Sequence, residues 1–506
     1  MVRAVLRLGL LLSLFLLLGR THGLPQVSED FQAPLSSGEA AEGLSVSSYE
    51  SHGVQFERVQ HALYDAHQLR ITQPKLCDRD VQQYSGYLDI ADDKHLFFWF
   101  FEARHDPKNA PLMLWLNGGP GGSTIASGLL FENGPCKLNP ATGRVEDNPY
   151  GWNEKVNIIY LDQPVGTGYS YGTGDSTTLA NLAADVYAFL QLFLQRFPRY
   201  ARAPLHVAGE SWGGHYVPHI GAYIDDQNDR LIYAPRRGQL HVNLASLVLA
   251  NGLTEPASQL ELTVEYLCGG APYPPFERND RRCAMWRAAV PACLRMIRTC
   301  YEYQNNATCG PATAYCWPAV FTAPLQAAQQ DGYNVYDLRK PCDESAGGLC
   351  YGEFNAIELW LNKTSTKRAL GVDPELNFRT VNPDVLQPFY YKGQAVLNSA
   401  ALLVPLIDHG IRLLTYAGNV DAVCNYMGIE LWMNRLEHKY HEEFQDAPWR
   451  FWTLPTKIWA SGFARSAGNG SVTNVRIFEA GHMAPFDQPE ATLDMISRWV
   501  DRKPFN

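Results

Sequence analysis

Short apolar runs that alternate with helical segments constrain the fold of this chain more than any other feature of its sequence. Four of the five runs before residue 251 are followed directly by Gly, Asn or Asp, and helical periodicity lies between runs, as over Leu179–Phe197. Strands that alternate with helices predict an α/β domain with a mostly parallel central sheet. The five runs are Leu96–Phe101, Leu112–Leu116, Val156–Leu161, Leu205–Ala208 and Ser246–Ala250.

The alternation stops at one place and resumes much later. It ends near Asn251–Thr254 and returns at Leu413–Gly418. Because both flanking runs have the character of strands, the intervening residues are predicted to be inserted between strands of one sheet. We therefore expect a first part of the α/β core at 76–254, a cap insertion at 255–400 and a second part of the core at 401–506.

The N-terminus has the pattern of a secretory signal peptide. Arg3 and Arg7 precede the apolar run Leu8–Leu18, and the small-residue site Thr21–Gly23 follows. The run is shorter than the roughly 20 residues that a membrane-spanning helix needs. We expect residues 1–23 to be removed, which takes away three arginines and changes the net charge from −10 to −13. The chain is then a secretory-pathway protein, either secreted or vacuolar/lysosomal.

Residues 24–75 are polar and include the low-complexity stretch Ser36–Gly43. Two interpretations stay open, a propeptide that is removed and a disordered arm that is kept. The acidic chain has no cluster of Lys or Arg, so nucleic acid is not expected as a partner. A membrane is not expected as a partner either, and the oligomeric state is open.

The cysteines predict a disulfide-rich insertion. Eight of the eleven lie between Cys268 and Cys350, and a secreted protein forms disulfides. No CxxC pair occurs, so neither a metal site nor another cofactor is expected. Three sequons agree with export and predict glycosylation at exposed sites, at Asn306, Asn362 and Asn469.

Gly209–Gly213 is a GxSxG motif in the setting of a nucleophile elbow. It follows the strand-like Leu205–Ala208 and precedes His215–Ile224, which has helical character despite Pro218. Glycines allow the tight bend that exposes a serine hydroxyl at the edge of the sheet. A second match, Gly168–Gly172, lacks both flanking elements and is predicted to be a turn. Ser211 is therefore the candidate nucleophile.

A serine nucleophile needs a base, and the base needs an acid to orient it. In α/β-hydrolases these residues follow the serine in the order acid, then histidine. The loops after the strand-like runs Leu413–Tyr416 and Val472–Phe478 carry Asp421 and His482. Both side chains are thus expected at the same carboxyl edge of the sheet as Ser211.

Six motifs are distributed from about Tyr84 to the C-terminus: Tyr84–Leu88, Trp115–Gly121, Gly209–Ser211, Asn251–Leu253, Asn334–Asp337 and Gly481–Phe486. Through them the chain resembles the serine carboxypeptidases of the carboxypeptidase Y and cathepsin A family. That resemblance implies the α/β-hydrolase fold, catalysis by Ser211, Asp421 and His482, and an oxyanion hole formed by the backbone N–H groups of Gly119 and Trp212.

The family acts on peptides with a free C-terminus, through an acyl-enzyme intermediate. The match implies that four residues bind the terminal carboxylate: Asn117, Gly118, Glu132 and Glu210. Two glutamates beside a carboxylate require protons, because like charges raise a carboxyl pKa. We therefore expect peptide hydrolysis to be best at acidic pH.

The resemblance also implies a disulfide framework and a pocket. Many relatives have cysteine where this chain has Gly122, and the usual partner cysteine is absent as well. The family pattern then suggests Cys268–Cys283, Cys293–Cys316, Cys300–Cys309 and Cys342–Cys350, and leaves Cys77–Cys136 as a fifth pair. Cys424 is expected as a free thiol beside the substrate pocket. The family's pocket for the departing residue is matched in this chain by Tyr336, Tyr351 and Met483. This resemblance predicts a preference for apolar C-terminal residues.

Other functions remain open at this stage. The same triad serves acyltransferases, which pass the acyl group to an alcohol instead of water. A lipase fits less well, because a carboxylate-binding group has no use for a triglyceride. A non-catalytic protective or binding protein is a different class, and the three intact triad residues speak against it.

Overall fold

The computed structural model describes residues 43–90, 93–174, 176–346 and 349–505. The predicted signal peptide and residues 24–42 lie outside this part of the chain. Within it, no helix is both long and apolar enough to cross a bilayer. The strands are β1 (Leu44–Ser51), β2 (Val54–His61), β3 (His67–Thr72), β4 (Gln83–Ile90), β5 (Lys94–Phe101), β6 (Leu112–Leu116), β7 (Cys136–Asn139), β8 (Arg144–Asp147), β9 (Asn157–Leu161), β10 (Tyr171–Gly172), β11 (Leu205–Glu210), β12 (Leu244–Ala250), β13 (Arg412–Gly418), β14 (Arg450–Thr453), β15 (Ala460–Ala467) and β16 (Val472–Ile477).

Helices follow most of the central strands. A π-helix over Ile125–Asn133 comes soon after β6. The α-helices are α1 (Leu179–Arg196), α2 (Pro198–Ala201), α3 (Gly213–Tyr233), α4 (Pro256–Glu265), α5 (Arg281–Tyr303), α6 (Asn306–Cys316), α7 (Ala323–Gln330), α8 (Glu353–Leu361), α9 (Thr364–Leu370), α10 (Pro383–Tyr391), α11 (Leu403–Asp408), α12 (Tyr426–Arg435), α13 (His441–Asp446), α14 (Ala484–Asp487) and α15 (Pro489–Val500).

One large sheet organises the described residues. Its strand order is β1-β2-β3-β4-β5-β9-β6-β11-β12-β13-β16-β15-β14, and β10 pairs with β5. The six neighbouring strands from β9 to β16 are all parallel to one another. The predicted α/β class with a parallel central sheet is therefore confirmed, and antiparallel strands extend the sheet on both sides.

The first three strands correct the sequence analysis. β1, β2 and β3 pair in antiparallel order with one another, and β3 pairs with β4. Part of each strand buries every second residue, as with Val59 and His61 on β2 and Leu69 and Ile71 on β3. This period of two buries one face of the hairpin. The disordered-arm interpretation is therefore wrong for residues 44–72, and the boundary at 75 does not mark the start of ordered structure.

The sheet separates two apolar clusters. Phe98 and Phe100 on β5 belong to a cluster with α1 and α3, whereas Phe97 and Trp99 belong to a cluster with the Ile125–Asn133 helix and α15. Successive side chains on a strand point to opposite faces, so a strand buried on both sides is apolar throughout. This arrangement explains why the central strands have continuous apolar sequences.

The insertion leaves the sheet after β12 and returns at β13, and these two strands are hydrogen-bonded neighbours. It contains its own apolar cluster, which includes Leu260, Trp286 and Ile297. The structure contains the four disulfides suggested for this region and also joins Cys77 to Cys136. The limits 255 and 400 lie inside the span between β12 and β13 and stay a prediction.

The sequons differ in their surroundings. Asn306 and Asn469 are exposed. Asn362 is half-buried, and its Nδ2 donates hydrogen bonds to the carbonyl oxygens of Glu358 (3.1 Å) and Phe378 (2.9 Å). Asn362 therefore lacks the exposed position predicted for this sequon. A glycan on its nitrogen would replace one of the two hydrogens and remove one of these hydrogen bonds.

Candidate active site

Ser211 occupies a sharp bend between β11 and α3. It has a φ of +61°, a conformation that costs a non-glycine residue about 1–3 kcal/mol. Backbone hydrogen bonds hold it there. Its N–H donates to the carbonyl oxygen of Ala250 (3.0 Å), and its own carbonyl oxygen accepts from Leu253 (2.8 Å) and Gly214 (2.9 Å). The bend places the serine at the carboxyl edge of the parallel strands.

The other GxSxG serine is placed differently. Ser170 lies in the loop before β10, and its Oγ donates to the carbonyl oxygen of Asp162 (2.7 Å) and accepts from the N–H of Phe97 (2.8 Å). Both bonds lie inside the protein, and no helix follows. The second match is thus a turn, as the sequence analysis predicts.

An imidazole and a carboxylate meet near the ends of β13 and β16. His482 Nδ1 lies 2.8 Å from Asp421 Oδ2, and both side chains are buried. Since Asp421 also accepts the N–H groups of Val423 (2.8 Å) and Cys424 (3.2 Å), we assign the proton to Nδ1 of the histidine. The other ring nitrogen, Nε2, is then free to accept a proton.

Asn251 also holds the carboxylate, a role that the sequence analysis did not assign. Its Nδ2 donates to Asp421 Oδ2 (2.8 Å) and to the carbonyl oxygen of Gly481 (3.3 Å). It follows β12 directly and has a φ of +40°, a conformation that asparagine tolerates better than most residues. The only sequence signal was its position after a strand within the Asn251–Leu253 motif.

We expect Asn251→Gly to lower kcat about 10-fold and to leave KM within about 2-fold, since a hydrogen bond to a charged group contributes about 1.5–3 kcal/mol. Glycine retains the positive φ, so the variant removes the hydrogen bonds without adding backbone strain. Steady-state kinetics on a peptide measures both constants. A KM that rises while kcat stays constant would contradict an effect through Asp421.

Asn117 joins two buried carboxyl groups. Its Nδ2 donates to Glu132 Oε1 (3.0 Å) and Glu210 Oε1 (3.1 Å), while its Oδ1 accepts from Trp115 Nε1 (2.8 Å). The tryptophan therefore fixes which way the amide points. The Oε2 atom of each glutamate has no hydrogen-bond partner among the described residues. A protonated carboxyl of the pair can therefore donate a hydrogen bond either to the other glutamate or to a bound anion.

Both glutamates are buried, and burial favours their protonated forms. Burial raises the pKa of Glu132. Burial, together with the charge of Glu132, raises the pKa of Glu210 well above its ordinary value. A neutral carboxyl can donate a hydrogen bond, which an ionised one cannot. The pair is thus able to bind an anion while it holds protons, and it repels the anion once both groups are ionised.

The loop after β6 lies directly against the nucleophile bend. A Cβ on Gly118 would come within 2.3 Å of the backbone nitrogen of Trp212 and 2.8 Å of Ser211 Cβ, so only glycine allows this approach. Gly119 has a φ of +115°. Among the described residues, no group accepts a hydrogen bond from the N–H of Gly119 or of Trp212. Two free amides next to a nucleophile can stabilise an oxyanion.

The residues predicted to line the pocket lie in different surroundings, and one of them packs on the base. The Tyr336 ring lies 5.4 Å from the His482 ring, and the Tyr336 carbonyl oxygen accepts the His482 N–H (2.7 Å). Tyr351 packs on Phe131, with ring centroids 5.3 Å apart. Met483 is buried at the start of α14. These residues stay candidates for the pocket that accepts the departing amino acid.

Cys424 is the one cysteine of the chain outside a disulfide, and it is buried. Its Sγ lies within 4.8 Å of a carboxylate oxygen of Asp421 and a ring nitrogen of His482. Burial, with the charge of Asp421, raises its thiol pKa well above the ordinary value. The neutral thiol is a weak nucleophile.

We expect a mercurial to inactivate the enzyme by attaching a bulky group to Cys424, and Cys424→Ser to keep most of its activity under the same treatment. Iodoacetamide is expected to act much more slowly on the wild type, because it needs the thiolate. Residual activity after each reagent measures the effect. Full mercurial sensitivity in Cys424→Ser contradicts this assignment.

Side chains that could ligate a metal meet at two places in the described residues. One is the group of Asp421, Cys424 and His482. The other comprises Asp225, Asp229 and His409, and the last two of these are exposed. In the first group the carboxylate and imidazole already hydrogen-bond each other, and exposed carboxylates commonly occur without a metal. Neither group points to a cofactor.

Comparison with known sequences identifies relatives over most of the chain. The family model for serine carboxypeptidases matches residues 74–502. Carboxypeptidase Y of Candida albicans is 37% identical over 474 residues, covering 93% of this chain and 81% of that protein. Carboxypeptidase Y homolog A of Talaromyces marneffei is 40% identical, covering 84% and 73%. Carboxypeptidase Y of Schizosaccharomyces pombe is 38% identical over 90% of this chain, which spans only 45% of the length of that protein.

A solved structure shares the fold. Kex1(delta)p, a prohormone-processing carboxypeptidase from Saccharomyces cerevisiae, has a TM-score of 0.72 at 20% identity. The alignment covers 85% of this chain and 94% of that one.

Proposed function

Since this chain belongs to the serine carboxypeptidase family, we propose that it releases C-terminal amino acids from peptides with Ser211, Asp421 and His482 as its triad. Ser211 Oγ attacks the scissile carbonyl carbon and gives its proton to His482 Nε2. Asp421 stabilises the imidazolium that forms, through the hydrogen bond to Nδ1. The C–N bond then breaks, and His482 returns the proton to the departing amino group.

The acyl group remains as an ester on Ser211 until water attacks it by the same route. His482 accepts a proton from the water and passes it back to Ser211 Oγ as the ester bond breaks. At both tetrahedral stages the oxygen carries negative charge, and the N–H groups of Gly119 and Trp212 stabilise it. Fixed donors of this kind lower the barrier because the charge exists only at those stages.

One observation supports exopeptidase rather than endopeptidase or lipase chemistry. Asn117 bridges Glu132 and Glu210, and Glu210 directly precedes Ser211 in the chain. A carboxylate that accepts hydrogen bonds from these groups and from Gly118 lies close to the nucleophile. The attacked carbonyl can then belong only to the last peptide bond of a substrate with a free C-terminus.

Mass analysis of the products of a peptide library at about pH 5 tests this function. We expect C-terminal residues to be removed one at a time, with apolar ones preferred by the pocket of Tyr336, Tyr351 and Met483. The matched control is the same library with amidated C-termini, which should be cut far more slowly. Internal cleavage, or equal rates on both libraries, would contradict the proposal. The N-terminal pattern supports our further proposal that this activity belongs to the secretory pathway, either outside the cell or in a vacuolar/lysosomal compartment.

A further inference from the structure

The second GxSxG segment, Gly168–Gly172, surrounds a buried carboxylate. The Tyr169 N–H donates to Asp162 Oδ2 (3.0 Å), and Ser170 Oγ donates to the Asp162 carbonyl oxygen (2.7 Å). A Cβ on Gly168 would lie 2.0 Å from Asp162 Oδ2, so a glycine is needed at this position. The segment thus fixes the place of one side chain, that of Asp162, which is not exposed at all.

The other carboxylate oxygen of Asp162 faces the loop Asn117–Thr124, which carries Gly118 and Gly119 beside the nucleophile. Its Oδ1 accepts the hydroxyl of Ser123 (2.8 Å) and the N–H of Ile125 (3.2 Å). Ser123 closes the loop Asn117–Thr124, and Ile125 begins the helix that contains Glu132. Because a carboxylate accepts at both oxygens, it can join this loop to the Gly168–Gly172 segment, whereas an amide offers one acceptor oxygen.

The loop has few other restraints on this side. The Asn117 N–H donates to Thr124 Oγ1 (3.0 Å), and the Gly122 N–H donates to the Gly118 carbonyl oxygen (3.0 Å). These bonds fold the loop on itself. Residues 380–382 contact it only through backbone hydrogen bonds, from Ser123 to Thr380 and from Asn382 to Gly121 (2.9 Å each). Within the described residues, Asp162 supplies the side-chain link between the loop and the neighbouring strand β9.

We propose that Asp162, held by the Gly168–Gly172 segment, is a positioning residue that sets the place of the Gly119 amide in the oxyanion hole. The inference rests on the proposed function, because the hole is assigned there. A displacement of about 1 Å in a catalytic group can cost about 100-fold in rate. Asp162 itself touches no substrate and acts through Ser123 and Ile125.

The test compares two glycines of similar backbone conformation in the full-length protein. Gly168→Ala places a Cβ against Asp162 at a φ of +56°, whereas Gly143→Ala has a φ of +62° with no atom within 4 Å of the new Cβ. Both carry similar backbone strain, and only the first pushes on the Asp162 carboxylate and on Ser123 Oγ, which the new Cβ would meet at 2.7 Å. For each, we measure kcat and KM on a p-nitrophenyl ester, the Ki of a peptide aldehyde and the melting temperature.

We expect Gly168→Ala to lower kcat for the ester about 100-fold and to leave KM within about 3-fold of the wild-type value. The Ki of the aldehyde should rise by about the same factor by which kcat falls. The aldehyde forms a hemiacetal whose oxygen occupies the hole, so a purely structural defect does not raise its Ki in folded protein. Gly143→Ala should match the wild type. A folded Gly168→Ala whose kcat and Ki lie within about 3-fold of Gly143→Ala overturns the proposal.

A second variant covers the case in which Gly168→Ala does not fold. Asp162→Asn keeps the volume of the side chain and removes one acceptor oxygen. The same changes in kcat and Ki are expected at about pH 8, where Asp162 is ionised although burial raises its pKa to about 6. Unchanged constants in folded Asp162→Asn also overturn the proposal. Ester hydrolysis needs the hole but not the carboxylate-binding group, so it decides this inference even if the wild type releases no C-terminal residue from peptides.

Discussion

Replacement of Ser211 by alanine is expected to lower peptide hydrolysis about 10⁴- to 10⁶-fold. The hydroxyl is the atom that forms the ester, so no acyl-enzyme forms without it. Substrate binding should survive, because the carboxylate-binding groups Asn117, Glu132 and Glu210 do not involve the Ser211 side chain. The measurement is the rate of release of the last amino acid under single-turnover conditions, with substrate binding determined separately by calorimetry.

Ser466→Ala is the matched control, since Ser466 on β15 hydrogen-bonds only Thr473 (2.9 Å) among the described residues. It should retain wild-type kinetics. Serine and alanine tolerate a φ of +61° about equally, so the melting temperature of Ser211→Ala should stay close to that of the wild type. A Ser211→Ala protein that still trims peptides at a normal rate would falsify the assignment of the nucleophile.

The second large effect is expected in the pH dependence of peptide hydrolysis. The pKa values of Glu132 and Glu210 are raised, so their protons persist to higher pH than on exposed carboxyl groups and are lost as the pH rises through the raised values. The lost hydrogen bonds to the terminal carboxylate contribute about 1.5–3 kcal/mol each. We expect kcat/KM for a free-C-terminal peptide to fall about 100-fold between roughly pH 5 and pH 8.

The informative quantity is the ratio of kcat/KM for that peptide to kcat/KM for an ester without a free carboxylate. Any effect of pH that both substrates share cancels in this ratio, so the ratio reports on the two glutamates, which act only on the free carboxylate. In Glu210→Gln the amide cannot ionise, and the ratio should depend much less on pH. Glu430→Gln is the control, because burial also raises the pKa of Glu430 but it pairs with Arg476 on β16. A ratio that is flat in the wild type contradicts the carboxylate-binding role.

Most central elements could be predicted from the sequence because their physical signals are local. The five apolar runs lie on β5, β6, β9, β11 and β12 of the structure, and the predicted helix Leu179–Phe197 ends within one residue of α1. A strand covered on both faces has a continuous apolar sequence, and the Thr178 side chain caps the helix by accepting the Asn181 N–H.

Strands at the edge of the sheet were harder to predict. β1 is polar and mostly exposed, and β2 buries only part of one face. Their order comes from pairing with β3 and β4, which a local pattern does not reveal. A period of two is present in Leu69 and Ile71, but on β2 the apolar residues Phe56 and Val59 are three positions apart, which interrupts it.

The residues of the site likewise differ in how far the local sequence indicates their roles. Asp421 and His482 could be proposed because each follows a strand in the order that the fold requires. The part played by Asn251 depends on a side-chain contact across 170 residues, which no spacing in the sequence indicates. The half-buried surroundings of Asn362 likewise arise from the segment near Phe378 that packs against it.

The path of the chain at the insertion has a consequence for how such an enzyme can diversify. The polypeptide leaves the sheet at the carboxyl end of β12 and re-enters at the amino end of the adjacent parallel strand β13, so the connection has to cross the sheet from one edge to the other. A different excursion could replace it without shifting the register of a single strand, as long as it has the dozen or so residues that a crossover between parallel strands needs. Substrate preference can therefore change by exchange of this one module, while the machinery beneath it stays as it is.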